Sequence, residues 1–472
     1  MRRSYPSVPD RSAARAPASG AAGGCRPRTT GGFRSRFGSR RPRTAQTVAL
    51  VTELREHGTE GDVEGAGHEQ SRDGTDSVGT VDHEDEHDQH DEDVDDPFPD
   101  ETSPRDGTGR IPSHAFVLAA LTRSIRLVRV GVLTGGGDCP GLNAVIRAIV
   151  RKGERVLGDD IVGFLDAWDG VMDRRTMPLT VESMRGSLPR GGTVLGTRRG
   201  SPLDHSDGVE RVRSTIHDLG LDGIIVIGGN GSLTVAELLH REHGIPVLGV
   251  PKTIDNDIVG TDLTFGFNTA VQIATDAIDR LHTTAESHDR VMVVEVMGRN
   301  SGWIATHAGI AGGATVVLVP EHPFDIDQVC ERLTRRHSRG RYASIVVVAE
   351  GAVPVEGSLS GGPDPEVDRF GHARLGGIGH IVADEIGRRT GFETRPVLLG
   401  HVQRGGTPTA FDRVLSTRFG VAAIDAVHAG AWGSMVALRG SEIVTVPLAE
   451  AAGRSRPVDL ALFTDVAEIF FA

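Results

Sequence analysis

From residue 128 onward, short apolar runs alternate with stretches of helical periodicity, and this alternation constrains the fold more than any other feature. The runs at 128–134, 222–227, 245–250, 291–296, 315–319, 344–348 and 396–399 are nearly continuous apolar sequence, rich in Val and Ile. Strands of that kind are buried on both faces, as in parallel sheets covered by helices. Helical patterns at 142–156, 232–241, 268–284, 302–311, 326–337, 377–389 and 411–429 supply the cover. The stretch 128–472 is longer than one hydrophobic core comfortably serves. The predicted class is therefore α/β: two Rossmann-like three-layer αβα lobes with mainly parallel sheets and the active site in the cleft between them.

Segment 1–127 has a different character. Twelve arginines precede residue 56, and an acidic run, Asp82 to Asp93, follows. Large apolar residues are sparse there and neither helical nor strand periodicity lasts, so the segment is expected to be disordered. His83, His87 and His90 in the acidic run read as part of a solvated tail rather than a metal site. The core begins with strand character at Val128 itself, which fits a start codon at that position and an untranslated stretch upstream.

The net charge of -13 argues against nucleic acid as a partner. Cys25, Cys139 and Cys330 are too few and too scattered for a disulfide framework, which fits a reducing, cytoplasmic setting. No apolar run approaches the roughly 20 residues of a membrane span.

Pro251-Lys-Thr-Ile-Asp-Asn-Asp257 places two carboxylates, a hydroxyl and an ammonium directly after the apolar run 245–250. Open α/β sheets bind ligands at the carboxyl ends of their strands. There, one aspartate can act as base while its neighbour helps hold a metal. Lys252 is one of two lysines in a chain that otherwise uses arginine, so a compact ammonium has a purpose in this cluster. Gly135-Gly-Gly-Asp138 and Gly228-Gly-Asn-Gly-Ser232 are glycine-rich turns between strand and helix, suited to phosphate. Two of them in one core point to a nucleotide or polyphosphate. Arg199, Arg290, Arg395 and Arg404 sit near strand ends or in glycine-rich turns, as a pocket for a phosphorylated substrate requires.

The ordered set GVLTGGGDCPG, GGTVLGTRR, GGNGS, PKTIDND, VEVMGR and GHVQRGG resembles the 6-phosphofructokinase family over 128–472. The resemblance implies transfer of a phosphoryl group to the C1 hydroxyl of fructose 6-phosphate, with Mg²⁺ and with ATP as donor. It implies a nucleotide lobe of about 128–266 plus 400–450, and a sugar-phosphate lobe of about 267–399 plus 451–472. Asp255 takes the role of general base, Thr253 lies beside the transferred group, and Arg199 and Arg299 stabilise its charge. Gly137, Arg199, Gly200, Gly229, Asn230, Gly231, Ser232 and Lys252 match the donor site. Ile254, Met297, Gly298 and Glu350 match contacts to the sugar. Arg290, Arg395, His401, Val402, Gln403 and Arg404 match the site of the 6-phosphate. The counterparts of Arg290 and Arg395 come from a neighbouring subunit, so a homodimer or homotetramer is implied. Asn230 and Asp257 match the metal site.

Two positions decide the donor in this family, and other positions depart from the common pattern. Gly231 leaves room for a nucleotide, whereas Lys252 is the residue of pyrophosphate-dependent members. Steric access decides for ATP, with the pyrophosphate enzyme as the alternative. Asn230 stands where an acid is usual, which weakens the metal site and leaves a catalytically silent sugar-phosphate-binding subunit as a further alternative. Arg147, Arg151, Arg339 and Arg341 match the family's effector site only in part, because Val181, His282 and Thr315 stand where charges are usual.

Overall fold

The structure is a computed structural model describing residues 127–359 and 375–470. The tail expected to be disordered lies, up to residue 126, outside the described residues, as does the acidic run with its histidines.

The apolar runs form strands, and these assemble into two sheets. β1 (Arg129–Gly135), β2 (Asp160–Phe164), β3 (Thr176–Pro178), β4 (Gly223–Gly228), β5 (Val247–Thr253) and β6 (Phe265–Gly266) come first in the chain. β7 (Val291–Val296), β8 (Val316–Leu318), β9 (Ser344–Ala349) and β10 (Thr394–Leu398) follow, and β11 (Ser434–Arg439) and β12 (Glu442–Pro447) come last. The larger sheet has the order β12-β11-β5-β4-β1-β2-β3, with β6 beside β5; the smaller has the order β10-β7-β9-β8. Ladders among β1, β2, β4, β5, β6 and β11 are parallel, as are all those of the smaller sheet. Only β3 and β12, at the two edges of the larger sheet, run antiparallel to their neighbours. Every residue of β4, β5, β7 and β9 is buried, which accounts for their unbroken apolar sequence. The expected α/β class with mainly parallel sheets is what the chain adopts.

The sequence reading missed several elements. β2 and β3 intervene before β4, so the strand preceding Gly228-Gly-Asn-Gly-Ser232 is the fourth in chain order, not the second. Helices Trp168–Asp173 and Gly208–Asp218 were also unforeseen, as was the β11–β12 hairpin, which turns at Gly440 with φ +58°. The expected helix 142–156 is α-helical over Leu142–Lys152 and finishes as a π turn, Gly153–Leu157.

Two features of the architecture position the site. β1 lies between β4 and β2: the chain runs from β1 outward to β2 and β3, then crosses back to β4, so the strand order reverses between β1 and β4, and open α/β sheets bind ligands beyond the carboxyl ends of strands at such a point. The helix Ala410–His428 packs on Leu142–Lys152 through Gly420, where a Cβ would stand 2.5 Å from the Val145 carbonyl oxygen and 2.7 Å from the Ala148 Cβ. Gly420→Val is expected to lower stability by about 1–3 kcal/mol through overpacking of this contact. A denaturant midpoint that falls at unchanged slope would report it.

Candidate active site

Three turns at carboxyl ends of strands converge. After β5 come Ile254-Asp-Asn-Asp257, after β7 come Met297-Gly-Arg299, and β10 is followed by the 3₁₀ turn Gly400–Arg404. Side chains join these turns. The buried Gln403 Oε1 accepts from the Met297 N–H at 2.8 Å, Glu350 Oε1 accepts from the Arg299 N–H at 2.9 Å, and the Ser301 hydroxyl donates to the Asp255 carbonyl at 3.3 Å. Two non-glycine residues in the turns hold left-handed backbone: Asn256 at φ +52° and Arg299 at φ +55°. Such conformations cost on the order of 1 kcal/mol or more and persist where neighbours over-determine them. For Asn256 the neighbour is Thr264, whose N–H donates to Asn256 Oδ1 at 3.0 Å and whose hydroxyl donates to the Thr253 carbonyl at 2.8 Å.

Asp255 is 8% exposed, its Oδ1 has no hydrogen-bond partner among the described residues, and its N–H donates to Thr253 Oγ1 at 3.0 Å. An acceptor buried without a donor is costly unless a ligand supplies one. Burial, with the Asp255 charge second, pushes the Asp257 carboxyl up to about 6. Burial also raises Glu350, and it lowers Lys252.

The first glycine turn lies against the loop 193–200. The Gly136 N–H donates to the Arg198 carbonyl at 3.4 Å, and the Thr197 hydroxyl donates to the Gly136 carbonyl at 2.6 Å. Arg199 and Gly200 are thereby held, exposed, beside this turn. The Lys252 ammonium donates to the Gly137 carbonyl, and Arg404 Nη1 donates to the Asp138 carbonyl at 3.2 Å. Arg404 therefore rests on the glycine turn, although the motif assigned it to the sugar phosphate. Gly229 caps the helix Asn230–His243, whose first N–H groups belong to Asn230, Gly231 and Ser232. A Cβ added at Gly231 would meet nothing within 4 Å.

Asn230 Nδ2 donates to Asp257 Oδ2 at 2.7 Å, leaving Asn230 Oδ1 buried and without a partner among the described residues. The Ser455 hydroxyl donates to the same Asp257 oxygen at 3.2 Å. Unpartnered oxygens on Asn230 and Asp255 beside Asp257 fit a hard cation that takes few protein ligands and fills its sphere with phosphate oxygens and water. Mg²⁺ is such an ion; bound here it would neutralise phosphate charge. Among the described residues no group of three or more His, Cys, Asp or Glu forms a fuller metal cage.

Two expected residues lie elsewhere. Arg290 precedes β7 and Arg395 is early in β10, paired in register with Met292. Both bridge to Glu393, at 2.7 Å and 2.6 Å. Met297 follows β7 at its other end, and a strand of this length spans about 20 Å. Within one chain, then, Arg290 and Arg395 do not join Arg299 and His401. The sequence reading also missed Ser301, Ser455 and Arg456, which touch the Asp255–Asp257 turn. No motif marks the last two; folding alone brings them there.

A match to the family model described as Phosphofructokinase covers residues 129–427. The chain is 58% identical over 343 residues to a pyrophosphate–fructose 6-phosphate 1-phosphotransferase of Streptomyces coelicolor, covering 73% of this chain and all of that one. It is 53% identical over 334 residues to an ATP-dependent 6-phosphofructokinase of Corynebacterium efficiens, covering 71% of this chain and 96% of that one. The solved phosphofructokinase of Saccharomyces cerevisiae superposes with a TM-score of 0.60 at 31% identity, over 73% of this chain and 47% of that one.

Asn230→Asp is expected to lower the Mg²⁺ concentration at half-saturation, because a third carboxylate beside Asp257 raises the site's charge; an unchanged metal titration would contradict this placement. Asp257 yields a second expectation. Its carboxyl, raised from 3.8 to about 6, favours the folded state when protonated, a contribution complete below about pH 4 and lost as pH rises through about 6. Asp257→Asn should therefore stabilise the metal-free protein at pH 8 by on the order of 2 kcal/mol. The gain should vanish near pH 4, as melts at both pH values would show.

Proposed function

Since this chain belongs to the phosphofructokinase family, we propose that it transfers the terminal phosphoryl group of ATP to the C1 hydroxyl of fructose 6-phosphate, giving fructose 1,6-bisphosphate in the cytoplasm. The reading of the donor rests on one observation: Gly231, in the first turn of a helix that opens onto the glycine loops, has free space where a side chain would stand. A nucleotide's α-phosphate needs that space. The backbone N–H groups of Gly229 to Ser232 favour its negative charge.

Asp255 accepts the proton of the C1 hydroxyl. Its buried, unpartnered Oδ1 is available for that contact. The loose transition state of phosphoryl transfer makes position and charge neutralisation dominant, so the base requires placement more than high basicity. Thr253 flanks the transferred group. Arg199 and Arg299 neutralise charge that develops on it. Glu350 fixes the Arg299 backbone and contacts the sugar. His401 attracts the 6-phosphate, with Val402 and Gln403 shaping its turn, while Arg404 rests on the Asp138 carbonyl of the first glycine turn. Asn230 and Asp257 would hold Mg²⁺, which would neutralise phosphate charge.

Arg290 and Arg395 complete the phosphate pocket of a neighbouring copy, in a homodimer or homotetramer. Their place at the far ends of β7 and β10 supports this, since no motion within one protomer brings them across the length of a strand.

Pyrophosphate as donor is a second reading, favoured by Lys252 and by the name of the Streptomyces coelicolor relative. Initial rates with each donor separate the two. ATP is expected to give the higher kcat/KM, and Gly231→Asp should cut ATP turnover by at least about 100-fold while sparing pyrophosphate, because an added carboxylate opposes the α-phosphate by bulk and charge. A faster wild-type rate with pyrophosphate would reverse the assignment. For the shared site, Asp255→Asn and Arg395→Ala protomers, each inactive alone, should regain about a quarter of wild-type activity when mixed as a dimer and allowed to exchange. No recovery despite proven exchange would place Arg395 outside the neighbour's site.

A further inference from the structure

Residues 454–458, a strap without helix or strand, lie against the Asp255–Asp257 turn. Arg456 is its centre. Its Nη2 donates to the Asn256 carbonyl at 3.0 Å and to the Asp262 carbonyl at 2.8 Å. Its backbone N–H donates to the Asp257 carbonyl at 2.7 Å. Its own carbonyl accepts from the Trp303 indole N–H at 3.2 Å, and its guanidinium lies 4.6 Å from the centre of that ring. The residues on either side continue the grip: the Ser455 hydroxyl reaches Asp257 Oδ2 at 3.2 Å, and the Val458 N–H donates to Glu321 Oε1 at 2.8 Å. Glu321 in turn accepts from the Gly302 N–H at 2.9 and 3.0 Å, next to Trp303.

These contacts converge on the residue whose backbone is strained. Asn256 has φ +52°, and its carbonyl is held by Arg456. Guanidinium, with several donors in a fixed plane, can hold two carbonyls at once, and an ammonium on a flexible stem does so poorly. The indole clamps the same arginine from the side of β7, so the strap links the turn after β5 to the helix Trp303–Ala311. None of the catalytic motifs includes this segment.

We propose that Arg456 is a positioning residue: with Trp303 it fixes the left-handed turn at Asn256 and so sets the placement of Asp255 and Asp257. Its relevance to catalysis rests on the reading of that turn as the phosphoryl-transfer site. Loss of the guanidinium frees the Asn256 carbonyl and lets the turn sample other backbone conformations. The turnover step then suffers more than sugar binding, because the reaction depends on sub-ångström placement.

The test uses the full chain and the variants Arg456→Gln, Arg456→Lys and Trp303→Phe. Amide hydrogen exchange by mass spectrometry, without substrate, reads the turn directly. Arg456→Gln is expected to raise exchange at 254–258 at least about tenfold while β5 stays protected. Kinetics with ATP and with pyrophosphate read the consequence: kcat per fructose 6-phosphate-binding site should fall about 10- to 100-fold, KM for the sugar should move less than about threefold, and half-saturating Mg²⁺ should rise. Arg456→Lys should fall between. Trp303→Phe, which keeps a ring but lacks the indole donor, should shift exchange and kcat in the same direction by a smaller factor. Unchanged exchange at 254–258 in Arg456→Gln overturns the proposal. So does a loss confined to melting temperature and the fraction of binding-competent protein, which would mark a merely structural contact. Increased exchange in a protein whose wild type turns over neither donor would sustain the positioning role and refute the catalytic reading of the turn.

Discussion

One backbone conformation underlies the rest of the site: the left-handed turn at Asn256, directly beyond the carboxyl end of β5. It separates two acidic residues with different surroundings: Asp255, whose Oδ1 has no partner among the described residues, and Asp257, whose Oδ2 accepts from Asn230 and Ser455. An L-residue adopts this conformation only under constraint. Here the constraint comes from three directions: Thr264 on the Asn256 side chain, Arg456 on its carbonyl, and Ser301 on the Asp255 carbonyl. The buried parallel core of β4 and β5 supplies the rigid base from which the turn projects. Sheet burial, local strain and chemistry are thus linked in one segment.

Burial sets the electrostatics around this turn: it raises the carboxyls of Asp257 and Glu350 and lowers Lys252. Burial and the Asp255 charge push the Asp257 carboxyl up to about 6, and Asn230 contributes an amide where an acid would add a third repelling carboxylate. Under the proposed function, the site would lean on the metal that accompanies the ligand and on guanidinium groups at its rim. Lys252 is different in kind. Buried and bonded to the Gly137 carbonyl, it braces the first glycine turn against β5.

Much of this was legible in the sequence, for identifiable reasons. Strands buried on both faces announce themselves, as Gly223–Gly228 and Ser344–Ala349 do, because each residue must be apolar or small. The missed elements lack that signature. β3 is three residues with an exposed end at each side, β12 buries only Val446, and the helix Gly208–Asp218 buries only Gly208, Val212 and Thr215. Thr253, Asp255 and Asp257 lie within five residues of one another, so a local stretch of sequence was enough to single them out as candidates. Gln403 on Met297 is a contact across 106 residues and Arg456 on Asn256 one across 200, created only by the packing of distant strands. The separation of Arg290 from Met297 was readable in advance, since the intervening residues form a single strand whose length forbids their meeting.

The central claim is that the carboxylate of Asp255 removes the proton of the sugar alcohol while arginines and the turn around it provide position. Single-turnover kinetics of Asp255→Asn, paired with calorimetric binding of fructose 6-phosphate, test this most directly. The amide fills the same space without the basic oxygen, so the rate of the chemical step should fall by at least about 1,000-fold with the sugar's Kd changed less than about threefold. A chemical step within about tenfold of wild type at normal sugar affinity would contradict the assignment of Asp255 as the base.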